Sequence, residues 1–163
     1  MTATLSELVR YRLTRVKETL GEAQTLAQSE SWNGTINRLY YACFYAVSAY
    51  LLIVGKSSKT HASTKSAFHL NVVKTGLVTV EMGKIYNRLF ENRFEGDYED
   101  FVEFDSETVL PLLAQANEIS SMLSTKLPKT HFFNFLLKRY ETRLQRPRRS
   151  DFRPAFCCCH GGE

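Results

Sequence analysis

The feature that most constrains the fold is the stretch from Trp32 to Val54, whose apolar side chains wrap most of the surface of the helix they would form. Ile36, Leu39, Tyr40, Tyr41, Cys43, Phe44, Val47, Tyr50, Leu51 and Val54 leave no wholly polar side. A helix apolar nearly all round must be covered from several directions, by neighbouring helices or by a second subunit. Ser31 offers a cap before it, and Gly55 stands where a left-handed residue ends a helix.

Other helical patterns flank this one. Leu5, Val9, Leu13, Val16, Leu20, Ala23 and Ala27 step by three and four, with Arg12, Arg15, Lys17 and Glu22 on the other face. Residues 56–62 read as a polar connection that leaves His61 solvated. A shorter helix is expected from Ala62 to about Lys74, stopped by Gly76. Val80, Met82, Ile85, Leu89 and Phe90 mark a further helix reaching the Arg93 region, and Gly96–Asp105, rich in acids and aromatics, reads as a loop or short turn. Asp105 or Ser106 can cap a last helix bearing Val109, Leu112, Leu113, Ala116, Ile119 and Leu123. Pro111 conflicts with that start, so either the first turn is irregular or regular helix begins nearer Leu110. No strand-like alternation runs beyond a few residues. The fold class is therefore all-α, an up-down bundle of four to five helices.

With 163 residues the chain has room for one sizeable core. Its 44% hydrophobic and 23% charged residues exclude wholesale disorder. The longest apolar run, Ala42 to Val54, is interrupted by Ser48 and carries two tyrosines, short of the ~20 apolar residues a membrane span needs. Glu7 and Arg10 sit among the first apolar residues, which argues against a signal peptide. The expected setting is the cytoplasm, with no membrane partner; Asn33-Gly34-Thr35 then matches a glycosylation acceptor by letter only.

The net charge of +4 is unevenly spread. Residues 126–163 hold nine Lys and Arg against three acids, a net +6, which leaves −2 for residues 1–125. A helical domain over 1–126 and a basic extension over 127–163 follow from this shift. His131 to Leu144 fits a basic amphipathic helix, with Phe132, Phe135, Leu136 and Tyr140 on one side. From Arg146 on, Pro147, Pro154 and Gly161-Gly162 forbid regular structure, and the segment reads as disordered or docked on a partner. The tail either meets RNA phosphates or is simply solvated.

Cys43, alone in an apolar stretch, reads as a small buried hydrophobe. Cys157, Cys158 and Cys159 precede His160, but three adjacent cysteines cannot easily turn toward one tetrahedral ion, so no metal is expected. His61, His69, His131 and His160 show no i, i+4 pairing, and no Gly-rich phosphate loop calls for a cofactor.

What stands out instead is a polar set embedded among aromatics. Asn37 and Arg38 interrupt the most apolar helix, with Tyr41 a turn further on; buried without partners they would be costly. Tyr40, Tyr41, Tyr45 and Tyr50 read as core and dimer contacts, with base stacking as the alternative. Farther along, Asn87-Arg88-Leu89-Phe90-Glu91-Asn92-Arg93-Phe94-Glu95-Gly96-Asp97-Tyr98 places Arg93 and Asp97 four apart, on one face if the helix continues. That pair is either a structural ion pair pinning the helix end or part of a site.

The Asn37–Ala46 block, the Lys74-Thr75-Gly76-Leu77 turn and the Asn87–Asp105 stretch containing Asp97-Tyr98 together resemble a branch of the HEPN superfamily, over roughly residues 5–125. The resemblance implies a helical bundle that dimerises, often encoded beside a nucleotidyltransferase as a toxin–antitoxin pair. Active members share an arginine followed four to six residues later by a histidine, and two such motifs meet across the dimer in a metal-free site that cuts RNA. Arg93 matches the arginine, whereas Tyr98 stands where the histidine is expected.

The resemblance thus implies Arg93, Asp97 and Tyr98 as catalytic residues, with Asn37, Arg38 and Tyr41 in support. Arg93 suits phosphate oxygens; Asp97, ionised at neutral pH, suits a base; Tyr98 is a proton donor but a slow base. Tyr98 is also the position where a partner nucleotidyltransferase would add nucleotides. His61 is the spare acid–base candidate, if its loop folds over the site. Two functions follow: a toxin-like RNA nuclease, or a non-catalytic module binding a partner protein or nucleotide.

Overall fold

A computed structural model describes residues 4–56, 58, 60–98 and 102–127, without the side chains of Asp97 and Tyr98. Residues 128–163 of the basic extension lie outside the described residues, including the segment His131–Leu144 expected to be helical, Cys157–Cys159 and His160. Five α-helices follow in order: α1 (Leu5–Gln28), α2 (Trp32–Ile53), α3 (His61–Phe68), α4 (Val80–Tyr98) and α5 (Ser106–Thr125). No strand occurs among the described residues, and the chain is the all-α bundle its periodicity implies.

Thr4 starts α1 with a capping box: its hydroxyl accepts from Glu7 N at 3.3 Å, and its own N–H donates to Glu7 Oε2 at 2.7 Å. Val9, Val16, Thr19 and Ala23 form the buried stripe, with the Thr19 hydroxyl satisfied by Arg15 O at 2.6 Å. A short turn with Glu30 in the left-handed region (φ 56°) then folds the chain back into α2. Ser31 occupies the cap position as expected, but its side chain makes no capping bond; its carbonyl instead accepts from Thr35 N and Oγ1.

The all-round apolarity of α2 is explained within one chain, because α1, α3, α4 and α5 all pack against it. Leu39, Tyr40, Cys43 and Val47 meet Val16 and Ala23 of α1, Tyr86 and Leu89 of α4, and Leu112, Ala116 and Ile119 of α5 in one core. Gly55 (φ 71°) ends the helix, and the Lys56 N–H reaches back to Leu51 O at 2.8 Å. Cys43 is fully buried, and desolvation pushes its thiol up to about 12.

Three readings need correction. The helix expected from Ala62 to Lys74 is α-helical only as far as Phe68, and His69–Val73 then widen into a π-helical turn that Gly76 closes. Gly96, Asp97 and Tyr98 belong to α4 rather than to a loop. The reason is packing: a Cβ at Gly96 would come within 3.2 Å of the Phe104 ring, so glycine there admits a neighbour instead of stopping the helix. The chain beyond is stapled by Asn33, which donates to Val102 O at 2.7 Å and accepts from Phe104 N at 3.1 Å.

Pro111 causes no irregular start either. Asp105 caps α5 by accepting from Thr108 N at 2.8 Å, and helix runs from Ser106 straight through the proline. The carbonyl that Pro111 cannot serve is that of Glu107, and both residues are exposed, so water can take its place. No helix among the described residues is long and apolar enough to cross a membrane.

Candidate functional site

Asn37, Tyr41 and Tyr45 recur every four residues on α2, and this spacing puts them on one face of the helix. Arg38 stands beside them, α1 supplies Arg15, and α4 supplies Arg93. Together these six residues line an open cleft of about 380 Å³. Four of the residues nominated from sequence (Asn37, Arg38, Tyr41 and Arg93) thus come together although Arg93 lies far along the chain. Asp97 lies one turn beyond Arg93 on α4, with Tyr98 next to it. Their side chains, and any Arg93–Asp97 pairing, lie outside the described residues.

Arg93 Nη2 donates to the Tyr41 hydroxyl at 3.2 Å, and its Cζ lies 5.6 Å from the centre of that ring. Arg15 repeats the arrangement on Tyr45 at 5.7 Å. Its guanidinium is held further above its ordinary pKa by hydrogen bonds to Glu18 and then to Tyr45. Arg15 Nη1 meets Glu18 Oε2 at 2.8 Å, and Glu22 joins the other wall, with Oε2 3.3 Å from Arg38 Nη1.

Sequence reasoning missed Arg15 and Tyr45. The sequence pattern puts Arg15 on the polar face of α1, and Tyr45 reads as a core or dimer contact. The available signal was the four-residue repeat of Asn37, Tyr41 and Tyr45, which continues the nominated face by one turn.

His61 also departs from expectation, since it is not a solvated loop residue. Thr60 caps α3 through a reciprocal box with Ser63, and this sets His61 as the first residue of the helix. The imidazole packs on Phe44, with ring centres 4.5 Å apart, and lies 5.8 Å from the ring of Tyr41. Its Nδ1 shares a 2.8 Å hydrogen bond with the Tyr40 hydroxyl. Burial lowers the His61 pKa, and the positive charge of Arg93 lowers it further, so the ring is neutral at pH 7. Burial raises the Tyr40 hydroxyl well above the usual tyrosine range, so this partner stays protonated.

Three guanidinium groups line this polar, open cleft, and forked donors of this kind suit phosphate oxygens. Among the described residues, no three His, Cys, Asp or Glu gather as metal ligands.

Comparison with known families agrees with this architecture. The HEPN domain model matches residues 9–127. The chain belongs to the HEPN family. The HEPN domain here is 43% identical over 110 residues to the UPF0332 protein of Thermotoga maritima, covering 68% of this chain and 83% of the relative. A candidate toxin of Methanocaldococcus jannaschii is 28% identical over 99 residues, covering 61% of this chain and 67% of the relative. A second candidate toxin of the same organism is 28% identical over 94 residues, covering 58% and 70%. All six cleft residues fall within the HEPN match.

Proposed function

We propose that this HEPN domain is a toxin-like endoribonuclease that cuts RNA without a metal, working in the cytoplasm. The observation that carries the reading is Arg93 fixed on Tyr41 in a cleft with two further arginines. In this scheme Arg93 stabilises the pentavalent phosphate formed when the RNA 2′-oxygen attacks the adjacent phosphorus. A base takes the proton from the 2′-hydroxyl, the bond to the 5′-oxygen breaks, and an acid protonates that oxygen. The products are a 2′,3′-cyclic phosphate and a 5′-hydroxyl.

Asp97 and Tyr98 remain the candidates on α4 for these proton transfers. His61 adds a neutral imidazole, held by Tyr40 and near enough to Arg93 to feel its charge. We assign the active unit to a homodimer in which the two sites meet. A nucleotidyltransferase antitoxin would silence it by modifying Tyr98. Expression in cells tests the function as a whole. RNA decay and growth arrest that vanish in Arg93→Ala support it, and healthy cells with intact RNA at high levels of folded protein count against it.

A second reading has one feature in its favour, Tyr98 at the position where the family resemblance implies a histidine. In that reading the domain binds a partner protein or a nucleotide and cuts nothing.

A further inference from the structure

Two guanidinium–tyrosine stacks stand side by side in the cleft. Tyr41 and Tyr45 lie one helical turn apart on α2, with ring centres separated by 6.3 Å and planes inclined by 37°. Each ring carries an arginine at nearly the same distance, Arg93 at 5.6 Å and Arg15 at 5.7 Å. The two cations arrive on different helices, α4 and α1, so this is a repeated device rather than one cluster on a single helix. One phosphate needs one such fork.

The carboxylates near Arg15 do not argue against a ligand. Glu18 and Glu22 side chains are 50% and 43% exposed, so their ion pairs are weak surface contacts. They hold the guanidinium aimed in the free protein, and a phosphate can exchange for them with the same fork geometry.

We propose that the cleft takes two successive phosphates of one nucleic-acid strand, the scissile phosphate at Arg93 and its neighbour at Arg15 over Tyr45. This rests on the reading above that Arg93 faces the scissile group. It names the ligand class more narrowly: an oligonucleotide, not a mononucleotide.

The smallest probe of this idea is a nucleoside carrying phosphates on both 3′ and 5′ oxygens. Titration calorimetry on the full chain would compare adenosine 3′,5′-bisphosphate with adenosine 5′-monophosphate at fixed ionic strength. The bisphosphate should bind about ten-fold more tightly, the scale of one charge-assisted pair. Arg15→Ala and Arg93→Ala should each erase that preference, bringing bisphosphate affinity down to that of the monophosphate. Lys17→Ala removes the same charge from an exposed site on α1 outside the cleft, and should keep the preference.

Equal affinity for the two probes overturns the proposal, as does a preference that survives Arg15→Ala or disappears equally in Lys17→Ala. Neither probe contains a diester to cut, so the result is independent of nuclease activity. A preference without RNA cleavage would remove the nuclease and keep the two-phosphate cleft; cleavage without a preference would do the reverse.

Discussion

The Tyr41 hydroxyl accepts a hydrogen bond from Arg93 Nη2 at 3.2 Å, joining the middle of α2 to the last turns of α4 across 52 residues of chain. This bond turns a long, flexible cation into an aimed one, because the guanidinium is fixed both at its edge and over the ring. Tyr41→Phe keeps the ring and removes only the hydroxyl. It should lower RNA cleavage by about ten-fold, on the scale of one hydrogen bond to a charged group, whereas Arg93→Ala should lower it by about 10²–10³-fold. Single-turnover rates on a short RNA measure both. Equal losses in the two variants would show that the hydroxyl does more than hold the arginine.

His61 gives the domain a defined pH response. Its pKa is lowered in the folded state by burial first and by the Arg93 charge second. On acidification the unfolded chain therefore binds the proton before the folded one. This contribution is absent above the ordinary histidine range near 6.5, and stability falls as pH drops from there to the depressed folded value. Thermal midpoints measured from pH 7.5 down to pH 5 should fall more steeply for the wild type than for His61→Asn. Parallel curves would mean that His61 titrates normally.

Asn33 ties the start of α2 to the segment that follows α4. It makes two hydrogen bonds to backbone groups at Val102 and Phe104, both part-buried. Asn33→Ala leaves those groups unpaired and should cost about 1–3 kcal/mol in urea unfolding. Asn33→Asp retains an acceptor for Phe104 N but loses the donor to Val102 O, and should fall in between. A change under half of the lower figure would show that water replaces the amide.

Cys43 should be inert in the native protein. Its thiol is fully buried beside Ser120 and is pushed up to about 12, so almost no thiolate exists at neutral pH. Mass spectrometry of tryptic peptides after iodoacetamide treatment should find Cys43 unmodified until denaturant is added. Rapid native labelling would require frequent opening between α2 and α5.

The sequence made most of the fold legible because the hydrophobic steps of α1, α2 and α5 are unambiguous. Val9, Val16 and Ala23 on one helix, and Val109, Leu112, Ala116 and Ile119 on another, are buried as their periodicity implies. The departures share a physical cause: local propensity points one way at positions where tertiary contact decides. Gly96 admits Phe104 instead of ending α4, and Pro111 stands where both it and Glu107, whose carbonyl it cannot serve, are exposed. His61, in a run of polar residues, gave no local hint that Phe44 and Tyr40 would receive its ring.

The cleft was half legible. Asn37 and Arg38 stood out by interrupting an apolar helix, and Arg93 by the family resemblance. Arg15 could not be separated from the other cations of α1, because its role depends on which part of α2 that helix crosses.

The most direct test of the central claim is cleavage of total RNA and tRNA by the purified full chain in EDTA, with Arg93→Ala alongside. The expected result is cleavage that survives the chelator and disappears with the arginine. Intact RNA with folded wild-type protein, or cleavage that Arg93→Ala leaves undiminished, would contradict the assignment of this cleft as a metal-free nuclease site.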